Sequence, residues 1–249
     1  MSKTTVYDAV VKCLKDVYEV YRERILCILI FGSLARNDLK ITSSGPSDVD
    51  IFIIFKDNVP VNDVLRHLDT LLSSRKITYD CGWCRISDLE MALKEGEDWF
   101  LLYNILNFGV LICGDPRIVN ELRNQTLRIN PVEAIYKTLQ IRLHENITLK
   151  HAIIRNFRTL LLNIALLDFL RVRKHIPTYS ELLNWALSKE STLNEKEKEA
   201  LRKIVHMIHS RQRDVNFSTM DSIEQLIIKR VKSLTRAHEH DTHSIYACA

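Results

Sequence analysis

An α+β protein is predicted by three observations. Two continuous apolar runs of strand length, Ile25 to Phe31 and Val49 to Phe55, follow one another closely in the first half of the chain. Beyond Asn130 the chain carries helical periods almost throughout, interrupted by Pro131 and Pro177. The charge also changes sign: residues 1–125 hold 15 Lys and Arg against 18 Asp and Glu, a net of −3, whereas residues 126–249 hold 20 against 13, a net of +7. The organisation read from these features is a sheet-bearing domain over 1–125, an all-α helical bundle over 126–237 and a flexible tail over 238–249.

At 249 residues, with 46% apolar and 27% charged side chains, the chain is long enough for one large or two small cores and too apolar for extended disorder. Its apolar stretches, such as Leu160 to Leu167, fall short of the roughly 18 to 20 residues that span a bilayer. Met1 to Val6 has no signal-peptide pattern, so a cytoplasmic protein without membrane association is expected. The six cysteines are scattered and read as free thiols. The pair in Cys81-Gly82-Trp83-Cys84 lacks the second ligand pair of a zinc site and the strand-to-helix turn of a thioredoxin-type site, and reads as two ordinary cysteines on or near a strand.

The elements follow in order. Val6, Val10, Leu14, Val17, Tyr18 and Tyr21 recur at helical spacing after Thr4 or Thr5 as caps. Ile25 to Phe31 and Val49 to Phe55 are central strands, with Pro60 to Ser74 an amphipathic helix after them. A third strand runs from Lys76 to Ile86, and Ser87-Asp88-Leu89-Glu90 has the form of a capping box that starts a helix. Gly109 to Gly114 is a last short strand, and Pro116 opens a helix at its favoured first position. In the second half, helices are predicted over 131–150, 151–174, 180–187, 194–213 and 218–236.

The chemistry concentrates between Phe31 and Phe55. A buried strand ends in Gly32-Ser33, a polar loop covers residues 34–47, and the next strand begins with Asp48-Val49-Asp50. Strand alternation turns Asp48 and Asp50 to one face, about 6.5 to 7 Å apart along the backbone. Hard oxygen donors on a rigid element suit Mg²⁺, and two ions held about 3.5 to 4 Å apart clamp the attacking and leaving oxygens of a phosphoryl displacement. Gly32 permits close approach of a phosphate and Ser33 offers a hydroxyl to it. An aspartate inside an apolar run, as Asp50 is, requires a partner or a metal.

The pattern Gly32-Ser33, loop, Ser47-Asp48-Val49-Asp50, apolar strand resembles the signature of the DNA polymerase beta superfamily of nucleotidyltransferases in its small form. The resemblance rests on residues 25–90. It implies a mixed sheet flanked by helices and two-metal Mg²⁺ catalysis that transfers a nucleoside monophosphate from a nucleoside triphosphate such as ATP, with release of pyrophosphate. By the same resemblance Asp48 and Asp50 bind the ions, Gly32, Ser33, Arg36 and Ser47 bind the nucleotide, and Asp80 is the third carboxylate, either a metal ligand or the base that takes a proton from the acceptor hydroxyl. Arg36 is placed either to approach a phosphate or to pair with Asp38. The chain departs from the family pattern at Asn37, where glycine is common, and in its long loop with Ser43-Ser44-Gly45-Pro46.

A nucleotidyltransferase unit followed by a helical bundle resembles the aminoglycoside nucleotidyltransferases, which implies a small-molecule hydroxyl acceptor bound between the two parts and a possible homodimer. Arg155 and Arg158 share a helix face near Lys150 and are placed either to hold a triphosphate or to form a solvated basic face. Similar bundles of the HEPN class cleave RNA with an Arg and a His separated by four to six residues; Arg171 and His175, like Arg202 and His206, have three residues between them and do not fit that spacing. The competing expectations are a transferase that adenylylates a protein partner or extends RNA, and a non-catalytic nucleotide-binding module. Nucleic acid is disfavoured, because the positive bundle lacks a dense basic stripe interleaved with aromatics.

Overall fold

Alternation along the two apolar runs sets the layering of the first half. In this computed structural model, which describes residues 3–36, 41–42, 45–46, 48–144, 150–210 and 217–246, the chain forms two compact units, Met1–Ile129 and Asn130–Ala249. The first unit begins with α1 (Lys3–Tyr21) and β1 (Ile25–Phe31), followed by a short helical turn α2 (Gly32–Ala35). A small antiparallel pair, β2 (Ile41–Thr42) and β3 (Gly45–Pro46), then precedes β4 (Val49–Phe55). It continues through α3 (Asn62–Ser74), β5 (Tyr79–Arg85), α4 (Ile86–Glu95), α5 (Trp99–Phe108), β6 (Val110–Gly114) and α6 (Pro116–Arg128).

The four long strands form one mixed sheet in the order β5-β4-β1-β6, antiparallel at β4-β1 and β1-β6 and parallel at β4-β5. Each face of the two central strands is buried, which is why both read as unbroken apolar runs. Ile28, Ile30, Val49, Ile51 and Ile53 pack under α1 and α3 on one face. Cys27, Leu29, Phe52 and Ile54 pack under α4, α5 and α6 on the other.

Cys81 packs against the first core and Cys84 against the second, since three residues along a strand reverse the side chain. Burial pushes both thiols up to about 12, with the negative charge of Asp80 adding to the effect on Cys81. The two sulfurs therefore neither converge on one ion nor present a thiolate.

Several boundaries differ from the sequence expectation. The stretch read as polar loop contains α2 and the β2-β3 pair. Ser87 does not cap α4: its hydroxyl donates to Asp57 Oδ1 at 2.7 Å and its N–H to the same oxygen at 3.2 Å, so a carboxylate from the loop after β4 satisfies that end. A separate helix, α5, lies between α4 and β6; its Phe100, Leu101, Leu102, Ile105 and Leu106 surround the axis and leave no amphipathic period to read.

The second unit contains α7 (Pro131–His144), α8 (Lys150–Arg173), α9 (Tyr179–Leu187), α10 (Glu195–Ser210) and α11 (Phe217–Tyr246). Leu160 to Leu167 of α8 are buried around most of the helix circumference, because α7, α9, α10 and α11 all pack on it. Thr178 caps α9 by accepting the Glu181 N–H. Asn194 and Glu197 exchange reciprocal bonds at the start of α10, a capping box. The Arg158 guanidinium lies 5.4 Å over the Tyr179 ring. The helix α11 runs on to Tyr246, through residues expected to form a flexible tail; no Gly or Pro between 217 and 246 stops it. Among the described residues no helix is long and apolar enough to cross a membrane.

Trp99 of α5 is 1% exposed and donates its indole N–H to the Thr126 carbonyl at 3.1 Å, satisfying one of the last carbonyls of α6. Trp99→Phe is expected to lower stability by about 1–3 kcal/mol, since a buried carbonyl loses its donor. Urea denaturation checks this as a lower midpoint at unchanged slope.

Candidate functional site

At one end of the sheet, strand register assembles the acidic residues. Phe31 at the end of β1 pairs with Asp50 near the start of β4, and Asp50 pairs with Asp80 of the parallel neighbour β5. Paired residues of adjacent strands point to the same face about 4.8 Å apart, so the Asp50 and Asp80 side chains stand side by side. The face is that of Phe52 and Ile54, covered farther along by α4 to α6. Asp48 lies two residues before Asp50 and is exposed. A bond from the Val49 N–H to the Thr78 carbonyl, 3.0 Å, carries the strand pairing to the residue that follows Asp48.

The chain leaves β1 at Gly32 with φ of 67°, in the left-handed region. A Cβ at this position would overlap Asp50 Oδ2 and come within 2.8 Å of Asp50 Cγ. Gly32 therefore lets the end of β1 lie directly on the Asp50 carboxylate. Ser33 follows in the single turn of α2, anchored by buried Leu34, and the Arg36 N–H closes the turn on the Gly32 carbonyl at 3.3 Å. Ser33 and Arg36 are half-buried. Ser47, Asn37 and Asp38 lie outside the described residues.

The structure thus brings Gly32, Asp50 and Asp80 together, with Asp48 and Ser33 adjoining them in the chain. Among the described residues, no group of three or more His, Cys, Asp and Glu side chains is gathered closely enough to enclose a metal ion alone. The donor chemistry nevertheless fits a hard divalent cation: Mg²⁺ is commonly held by one or two carboxylates, with water and substrate phosphates supplying the remaining oxygens. Two neighbours of the acidic pair were not singled out from sequence. Phe31 flanks Asp50 across β1, and Gly82 lies opposite Phe52, where a Cβ would come to 3.1 Å of the ring. Their signal is the pairing register, which belongs to the folded sheet.

Residues 12–117 match the family described as Polymerase beta, Nucleotidyltransferase. No curated protein matches the chain in sequence. Among solved structures, the spectinomycin adenyltransferase AAD(9) from Enterococcus faecialis, with ATP and spectinomycin, is similar with a TM-score of 0.55 and 10% identity, over 90% of this chain and 98% of that one. A toxin-antitoxin structure with AMP-PNP is similar with a TM-score of 0.35 and 16% identity, over 47% of this chain and 83% of its own. At these identities the likeness to AAD(9) is one of fold.

Gly32→Ala is expected to lower stability by about 1–2 kcal/mol, because the new Cβ meets both a left-handed backbone and the Asp50 side chain. Its urea midpoint checks this, and a wild-type value contradicts the packing of Gly32 on Asp50.

Proposed function

We propose that the chain, whose residues 12–117 match the family described as Polymerase beta, Nucleotidyltransferase, transfers a nucleoside monophosphate from ATP or another nucleoside triphosphate to a hydroxyl of a small molecule. The observation that carries this reading is the Asp50–Asp80 pair at the sheet end, with Gly32 packed on Asp50. In the reaction the acceptor oxygen bonds to the α-phosphorus, the bond from that phosphorus to the β-phosphate bridging oxygen breaks, and pyrophosphate leaves.

Asp48 and Asp50 would hold Mg²⁺, which when bound supplies charge neutralisation on the phosphates and alignment of the two oxygens. Gly32 and Ser33 would approach the triphosphate at the end of β1, with Arg36 contributing from the adjoining turn and Ser47 as the residue before Asp48 in the sequence. Asp80, beside Asp50, would receive the acceptor proton or share the metal. A small-molecule acceptor is favoured by the fold-level likeness, over 90% of the chain, to an adenyltransferase whose structure holds spectinomycin.

Asp48→Asn and Asp50→Asn are each expected to reduce Mg²⁺-dependent pyrophosphate release at least a hundredfold while leaving circular dichroism unchanged. The assay offers each of the four nucleoside triphosphates with a pool of cell metabolites as acceptor. Wild-type turnover in either variant contradicts the site. Asp80→Asn separates the two roles of that residue: slowed turnover with nucleotide affinity retained marks the base, and an equal fall in both marks a metal ligand.

A further inference from the structure

The end of the sheet that holds the acidic pair also receives the last turn of α5. Ile30 of β1 pairs with Val110, the first residue of β6, one position before Phe31 pairs with Asp50. Residues 108–109 therefore reach the edge of the sheet two strand spacings from Asp50, about 10 Å at roughly 4.8 Å per strand. The side of the sheet is also the same: Leu102, Ile105 and Leu106 of α5 pack in the core of Phe52 and Ile54, the face to which Asp50 and Asp80 belong.

The helix end is held firmly there. The Gly109 N–H donates to the Ile105 carbonyl at 3.0 Å, and a Cβ at Gly109 would run into that oxygen and approach the Ile30 carbonyl to 3.3 Å. The Asn107 amide bonds the Tyr103 carbonyl at 3.0 Å and the Thr126 hydroxyl at 3.1 Å, tying the same turn to α6. On this fixed turn stands Phe108, 39% exposed in the whole chain. Its ring meets Tyr103 edge-on, with centroids 5.9 Å apart, and Tyr103 in turn meets Trp99 at 5.4 Å. The row of rings is buried at Trp99 and open at Phe108.

We propose that Phe108 is the stacking platform for the nucleobase of the triphosphate, a specificity-determining contact of the same site. The inference rests on the nucleotidyltransferase reading above. A large aromatic ring left open on a helix turn that hydrogen bonds hold in place needs no backbone ordering to receive a base, and every nucleobase has a π-face to lay on it. The carboxylates at the middle of the sheet end and the ring at its edge then take the two ends of one ligand, phosphates at the former and base at the latter.

The test measures equilibrium binding of ATP and of inorganic tripolyphosphate, each with Mg²⁺, to the full chain. Phe108→Ala is expected to weaken ATP about tenfold and leave tripolyphosphate unchanged, while Phe108→Trp restores ATP binding. Leu101→Ala, an equally exposed apolar truncation two turns earlier on α5, is expected to change neither. Unchanged ATP affinity in Phe108→Ala overturns the proposal, as does a parallel fall of ATP and tripolyphosphate, which marks a structural role. A wild-type chain that binds neither ligand overturns the acidic-site reading itself, and the inference with it.

Discussion

The contact between Gly32 and the Asp50 carboxylate is the constraint on which the site depends. Without a Cβ, β1 can end against a charged side chain and turn at once into α2; with one, either the turn or Asp50 has to move. The consequence reaches three elements. It fixes where Ser33 begins the turn of α2, and it sets the end of β1 against Asp50 of β4, the residue that pairs with Asp80 of β5. An aspartate at the entrance of a buried strand needs a cation or hydrogen-bond donors, because charge placed against apolar surface is otherwise unfavourable.

The central strands were legible because burial on both faces writes itself as an unbroken apolar run, and Ile25–Phe31 and Val49–Phe55 are such runs. Pro116 announced α6, with Asp115 capping it through the Arg117 N–H. Other features answer to tertiary partners. Ser87 has the spacing of a cap but is claimed by Asp57, thirty residues earlier. The helix α5 is apolar on every side, so periodicity could not separate it from α4. In the candidate site, Gly32, Asp48 and Asp50 stand out by residue type and order, and Asp80 by the family resemblance. Their adjacency does not: the Asp50–Asp80 register and the closeness of Gly32 to Asp50 arise from pairing between distant strands.

The second unit is organised differently. A single helix, α8, is buried on most sides and serves as the axis for the other four. Two of those helices start with side-chain caps at Thr178 and Asn194, and the Glu197 carboxylate that completes the second cap also approaches Arg230 of α11 at 3.7 Å. These are the means by which a bundle fixes helix starts and neighbours. The chain therefore joins a sheet-bearing unit, of which residues 12–117 match the family described as Polymerase beta, Nucleotidyltransferase, to a helical unit with its own core.

The central claim is that the carboxylates at this sheet end bind a divalent cation together with a nucleotide. The most direct measurement is electron paramagnetic resonance of Mn²⁺ added to the full chain with a non-hydrolysable ATP analogue. The account predicts a bound-ion signal for the wild type that returns to the free-ion level in Asp50→Asn at unchanged circular dichroism. Equal Mn²⁺ binding by the two proteins would contradict it.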